Sequence, residues 1–252
     1  MGFAGQFRFA RAVVTTLVAS VKVLATAATG PFSREMASGH FWRWTDSLCR
    51  LGGVDLRVEG KERLDPTRGW LFMSNHRSYW DIPAIGTALA PIPLRMVAKR
   101  ELFRVPLWGP AMLKAEILPI DRSDRQTAIR DLDAVAAKLQ SGLSVWISPE
   151  GGRSRDGNLR RFKKGGFMLA LKTGTPIVPV GVAGTERIAP VDRLVVHVGG
   201  VVAVVVGEPV DVTSFAGSDE GRDRLMAQVR MAMLGLVARA EEIVAREERG
   251  AP

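Results

Sequence analysis

A single cysteine, Cys49, and three histidines are spread over 252 residues. One thiol cannot close an internal disulfide, so the fold must rest on its core, as in a reducing compartment. His40, His76 and His197 lie far apart, and no pair has zinc-ligand spacing, so neither a metal nor a cofactor is expected. The Gly-x4-Gly-Lys-Ser/Thr phosphate loop is missing, which excludes P-loop chemistry, and so is a Gly-x-Ser-x-Gly nucleophile elbow. Repeats and low-complexity tracts are also lacking. No clean apolar run reaches the roughly 20 residues that a spanning helix wants. Acidic residues are in the minority, 26 against 35 Lys and Arg, for a net charge of +9 and a pI near 10.4. Such an excess points to an anionic partner, nucleic acid or an acidic lipid surface, or reflects composition alone.

What is present is a mixed chain with a 46% hydrophobic share, long enough for one large domain. Residues 12–30 are mostly Val, Ala, Leu and Thr, interrupted by Lys22. Val14, Leu17, Val18, Val21, Leu24, Ala25 and Ala28 fall on one helical stripe, with Thr15, Ser20, Lys22 and Thr26 off it. The pattern predicts an amphipathic helix that lies on or dips into a bilayer; the alternative is a helix packed on the domain. After Gly30-Pro31 a second amphipathic segment, 32–51, mixes Phe41, Trp42 and Trp44 with Arg34, Arg43 and Arg50, a composition suited to the headgroup layer. His40 falls here and is read as interfacial. Residues 1–52 thus read as a membrane-associating helical hairpin, and 53–252 as the main domain.

From Gly52-Gly53 onward short apolar runs alternate with helical patterns. This predicts an α/β fold with a central, mostly parallel mixed sheet flanked by helices. Strands are expected at 54–58, 70–74, 94–98, 117–120, 144–147, 177–182, 194–198 and 201–206. Helices are expected at 82–89, 107–114, 123–140, 165–172 and 219–248, the third capped by Ser123. His197 is read as a satisfied strand residue.

Two segments carry chemistry. In Asn75-His76-Arg77-Ser78-Tyr79-Trp80-Asp81 an apolar strand ends in a polar loop, and Asp81 followed by Pro83 marks a helix start. Within one helix, residues five apart would diverge by about 140°; across a turn they can meet. A carboxylate could then hold one imidazole nitrogen while the other takes a proton from a hydroxyl. In Ile147-Ser148-Pro149-Glu150-Gly151-Gly152-Arg153-Ser154-Arg155, two glycines expose backbone N–H groups. Arg153 and Arg155 offer bidentate phosphate recognition, and Arg160, Arg161, Lys163 and Lys164 extend the positive field. A plain basic loop or a non-specific nucleic-acid patch would also account for this second segment.

Together these blocks resemble the glycerolipid acyltransferase family. Four family blocks occur in order: 75–81; Val97-Ala98-Lys99-Arg100-Glu101-Leu102-Phe103 with Pro106, Gly109 and Ile120-Asp121-Arg122; Pro149-Glu150-Gly151-Gly152-Arg153-Ser154; and Thr175-Pro176-Ile177-Val178-Pro179-Val180. The matching core runs from about 55 to 185. One departure is that Ser148 and Gly152 stand where the lysophosphatidate branch usually has Phe and Thr, while Glu-Gly-Gly-Arg-Ser-Arg is closer to the glycerol-3-phosphate branch.

The resemblance implies acyl transfer from acyl-CoA or acyl-acyl carrier protein to the sn-2 hydroxyl of 1-acyl-sn-glycerol-3-phosphate, without metal or acyl-enzyme. His76 would be the general base and Asp81 its orienting carboxylate. Arg153 would grip the acceptor phosphate, Lys99 and Arg122 would assist, Glu150 would hold the loop or the glycerol, and Gly151 and Gly152 would supply oxyanion donors. Pro176 and Pro179 read as structural, and Trp80 and Trp108 as core residues or the lining of an acyl groove. The implied setting is an anionic membrane surface on the cytoplasmic face, with nucleic acid excluded as a partner. Alternatives are a glycerol-3-phosphate or other lysolipid acceptor, or a non-catalytic basic membrane-binding protein.

Overall fold

Runs of Val, Ile and Leu that are apolar on both faces favour a sheet covered on both sides, and that is what forms. The computed structural model describes residues 2–121 and 124–250. Seven strands, β1 (Val54–Glu59), β2 (Leu71–Ser74), β3 (Leu94–Lys99), β4 (Leu118–Ile120), β5 (Ser144–Ile147), β6 (Ile177–Ala183) and β7 (Gly200–Val206), make one sheet in the order β1-β7-β6-β2-β5-β3-β4. β6, β2, β5, β3 and β4 are mutually parallel, whereas β7 runs antiparallel to β6, with β1 parallel to it.

The period of two along β2 divides the core. Phe72 enters one apolar cluster with Trp146, Val178 and Val180, while Leu71 and Met73 enter the other with Val145 and Ile177. On the first face lie α2 (Arg34–Leu51), α3 (Asp81–Ala88) and α4 (Trp108–Lys114), overlaid by α1 (Gly2–Ala28). On the second lie α5 (Arg125–Gln140), α6 (Gly165–Thr173) and α8 (Asp219–Gly250). Gly181 lets α8 approach β6 closely: a Cβ there would stand 2.3 Å from the Leu236 carbonyl carbon. α5 is capped by Asp124, whose side chain accepts from Thr127 N–H; Ser123, the expected cap, lies outside the described residues.

α1 is 27 residues long and apolar enough by length and composition to cross a membrane, with mean hydropathy 1.5 over its best window. It buries its small side, Gly5, Ala12, Ser20 and Val23, and Thr16 accepts a hydrogen bond from Trp44 Nε1. The apolar stripe faces out: Phe3, Phe7, Val14, Val18 and Val21 are exposed. The aromatic residues of α2 correct the headgroup expectation. Phe41 is buried in the core, and Trp42 and Trp44 pack against it. Arg95 on β3, fully buried, ties α2 down by donating to Ser38 Oγ and the Arg34 carbonyl, and pairs with Glu116 at 3.3 Å. Removing one partner from such a buried charge typically costs about 3–5 kcal/mol.

The strand expected at 194–198 does not form. Val196 and His197 instead donate backbone bonds to Gly5 and Ile188 carbonyls, because Gly199 and Gly200, both at positive φ, turn the chain at the start of β7. Its apolar residue Val196 is buried under α1 rather than in the sheet.

Candidate active site

Five neighbouring parallel strands deliver their C-terminal ends to one edge, where α/β sheets place their ligands. The loops that follow β2, β5 and β6 meet there.

The loop after β2 is pinned first by Asn75. Its amide donates to the Val182 carbonyl and accepts from Val182 N–H, at 2.8 and 2.9 Å. His76 follows, and its Nδ1 lies 2.7 Å from Asp81 Oδ2. That same oxygen accepts the Arg77 and Ser78 N–H groups at 2.7 and 2.9 Å, while Oδ1 accepts from the Thr185 hydroxyl. Asp81 is 1% exposed and the His76 side chain 17%, so the carboxylate is locked in the interior and the ring reaches the surface. An acceptor-only carboxylate fixes the tautomer with the proton on Nδ1, leaving Nε2 as the basic nitrogen. The His76 ring meets Trp146 edge-on, with centroids 5.7 Å apart.

The loop after β5 holds His76 through its peptide. Glu150, 3% exposed, accepts His76 N–H at 3.0 Å and Arg160 N–H at 2.8 Å, one on each oxygen. Ser154 N–H donates to the His76 carbonyl at 2.7 Å. Burial pushes the Glu150 carboxyl above its usual value, against the opposing pull of these N–H donors. Both of its oxygens are therefore used in holding the loops, which favours the loop-holding role over contact with a glycerol hydroxyl.

Arg153 lies with its guanidinium 3.6 Å from the centre of the Tyr79 ring and donates from Nη2 to the Tyr79 hydroxyl at 2.8 Å. Gly151 adopts φ +73°, and its N–H donates to the Ser148 carbonyl. Of the two expected oxyanion donors, Gly152 N–H is thus the one that makes no backbone turn bond among the described residues. A Cβ at Gly152 would meet nothing nearer than Arg160 Nη1 at 3.8 Å. Lys99 ends β3, exposed; β5 separates it from β2, about 10 Å of sheet. Arg122 lies outside the described residues. Trp80 is 5% exposed in the core and Trp108 packs at its margin.

The structure adds residues that had no role on spacing alone. Thr185 sits at the head of the four-residue helix α7 (Thr185–Ile188) and completes the Asp81 shell. Its only signal was its place just after the fourth block. Tyr79 and Asn75 stood inside the first block, but only the fold reveals their partners.

The family model described as Acyltransferase matches residues 55–183. The chain is 33% identical over 196 residues to the 1-acyl-sn-glycerol-3-phosphate acyltransferase of Salmonella typhimurium, covering 77% of this chain and 78% of that one. Against the protein of the same name from Escherichia coli, identity is 32% with 80% of each chain covered. A chloroplastic relative in Arabidopsis thaliana is 33% identical over 156 residues, 62% of this chain but 43% of that longer protein. The crystal structure of the 1-acyl-sn-glycerophosphate acyltransferase from Thermotoga maritima superposes with a TM-score of 0.75 at 27% identity, covering 92% of both chains. A carboxylate-held histidine at the strand edge, the four ordered blocks and these likenesses agree: the chain belongs to the acyltransferase family that contains the bacterial and plastid 1-acyl-sn-glycerol-3-phosphate acyltransferases.

Proposed function

We propose that this protein esterifies the sn-2 hydroxyl of 1-acyl-sn-glycerol-3-phosphate with an acyl group from a thioester, giving phosphatidic acid. The observation that carries the reading is the 2.7 Å His76–Asp81 contact, held by Glu150 through the peptide of His76. The acceptor hydroxyl gives its proton to His76 Nε2 as its oxygen attacks the thioester carbonyl. Asp81 stabilises the imidazolium that forms. The tetrahedral oxyanion sits near Gly152 N–H, then collapses, breaking the C–S bond. The departing thiolate takes the proton back from His76. General-base assistance of this kind contributes about 10²–10⁴-fold. Arg153 binds the acceptor phosphate, with Lys99 and Arg122 as further cations around it.

In this reading α1 docks on the cytoplasmic face of the membrane, its outward stripe of Phe3, Phe7, Val14, Val18 and Val21 entering the lipid. Vesicle cosedimentation tests that part: Val14→Glu with Val18→Glu should release the protein, and retained binding would refute the assignment of α1 as the anchor.

Purified protein offered a labelled acyl thioester and a panel of acceptors tests the reaction. Product with lysophosphatidate, lost in His76→Ala while vesicle binding persists, is the expected result. Product only with glycerol-3-phosphate or another lysolipid would move the acceptor assignment, and an active His76→Ala would sink the mechanism. Inactivity of the wild type toward every acceptor would favour a non-catalytic membrane-binding protein.

A further inference from the structure

Between residues 153 and 164 stand six cations, Arg153, Arg155, Arg160, Arg161, Lys163 and Lys164, against one acid, Asp156. The Asp156 carboxylate is occupied in folding the loop, accepting from Ser154 Oγ and from the backbone and side chain of Asn158. Arg155 pairs only loosely with Asp192, at 3.5 Å, and both are largely exposed. Arg160, Arg161, Lys163 and Lys164 are exposed and make no ion pair among the described residues. An acceptor phosphate carries about two charges and has Arg153; the remaining cations exceed what it needs.

Their placement separates them from the lipid side. The segment leads into α6, which packs with α5 and α8 on the second face of the sheet, whereas α1 overlies α4 and α2 on the first with its apolar stripe turned outward. The segment also borders the site directly. The Lys163 side chain lies 3.3 Å from where a Gly151 Cβ would be, and Lys163 N–H donates to the Pro149 carbonyl at 2.7 Å. A water-soluble polyanion whose other end is a thioester matches this arrangement: it would bind on the basic side and reach the Gly151–Gly152 turn, while the lipid comes from the apolar side.

We infer that residues 155–164, with Arg161, Lys163 and Lys164 at their centre, bind the phosphate groups of a coenzyme A thioester donor. The inference rests on the acyl-transfer reading and adds to it where the donor sits. No bond changes here; the phosphates are held by charge and remain on the donor.

The test compares an acyl-CoA with the matching acyl-pantetheine, which carries the same thioester without phosphates. Wild-type kcat/KM should favour acyl-CoA, and raising ionic strength should shrink the preference, because exposed charge attraction is screened. Arg161→Glu with Lys164→Glu should lower the acyl-CoA to acyl-pantetheine ratio about tenfold and flatten its salt dependence. The milder Arg161→Gln with Lys164→Gln should lower it about threefold, which guards against a folding defect in the charge-reversed protein. An unchanged ratio in an active protein would overturn the donor site while leaving acyl transfer intact. So would a loss confined to acyl-carrier-protein donors, or a loss of vesicle binding with the ratio unchanged. A wild type inert with both donors would overturn the acyl-transfer reading itself, and the donor site with it.

Discussion

Replacing Asp81 by asparagine isolates charge from shape at the centre of the site. The carboxylate accepts four hydrogen bonds, three at Oδ2 from His76 Nδ1 and the Arg77 and Ser78 N–H groups, and one at Oδ1 from the Thr185 hydroxyl. An asparagine with its oxygen at the Oδ2 position keeps the first three. Its amide then faces Thr185, whose hydroxyl can turn round and accept. The shell therefore survives, and the melting temperature should move little. What is lost is the negative charge that, on the proposed mechanism, stabilises the imidazolium in the transition state. A loss of about 10³ in kcat, roughly 4 kcal/mol at 1.36 kcal/mol per tenfold, is expected. Asp81→Ala should behave differently, because it strands all four donors around a buried position, at about 1–3 kcal/mol for each that finds no other partner; it should fail in stability as well as in rate. Steady-state turnover and thermal melts on both variants separate the two effects. An Asp81→Asn protein that melts like the wild type and turns over within threefold of it would refute the assigned role.

Glu150→Gln should destabilise the protein by about 1–3 kcal/mol, since two backbone N–H groups need two acceptor oxygens and glutamine has one. Because burial raises the Glu150 carboxyl, its contribution to stability is full at low pH and falls as pH rises through the raised value; denaturant melts from pH 4 upward should show that decline in the wild type and not in the variant. Tyr79→Phe removes the hydroxyl that accepts from Arg153 but keeps the ring beneath it, so the acceptor KM should rise about fivefold, roughly 1 kcal/mol, with kcat little changed. Gly152→Thr, the residue usual in the lysophosphatidate branch, has room and should leave the melting curve nearly unchanged, whereas Gly151→Ala at φ +73° should lose about 1–2 kcal/mol.

The sheet was legible in the sequence because β2, β5 and β6 are short apolar runs bounded by polar turns, and buried parallel strands show that signature. The same signature misled at 194–198, where Val196 is covered by α1 instead of by neighbouring strands and Leu194 and Val198 are exposed. Period alone cannot report what covers a segment. For the same reason the aromatic residues of α2 looked interfacial although Phe41 fills the core. At the site, His76 and Asp81 were readable as a pair because a single turn joins them. Thr185 was not, since it reaches Asp81 across 104 positions of chain and a hydroxyl has no sequence pattern of its own. Nor could spacing reveal that Gly151 gives its N–H to a turn.

His76 is gripped at both ends of its own residue unit: its N–H by Glu150 and its carbonyl by Ser154 N–H. The loop that carries Arg153 and the loop that carries His76 are therefore one mechanical piece. If a headgroup of the wrong size forced the 150–154 turn aside, the imidazole would be dragged off its line to the hydroxyl in the same movement. Poor acceptors would then be rejected as slow reactions rather than as weak binding. Evolution could retune the choice of acceptor only by trading side chains along a stiff edge, and Gly152 is an open place on that edge where such a trade costs the fold almost nothing.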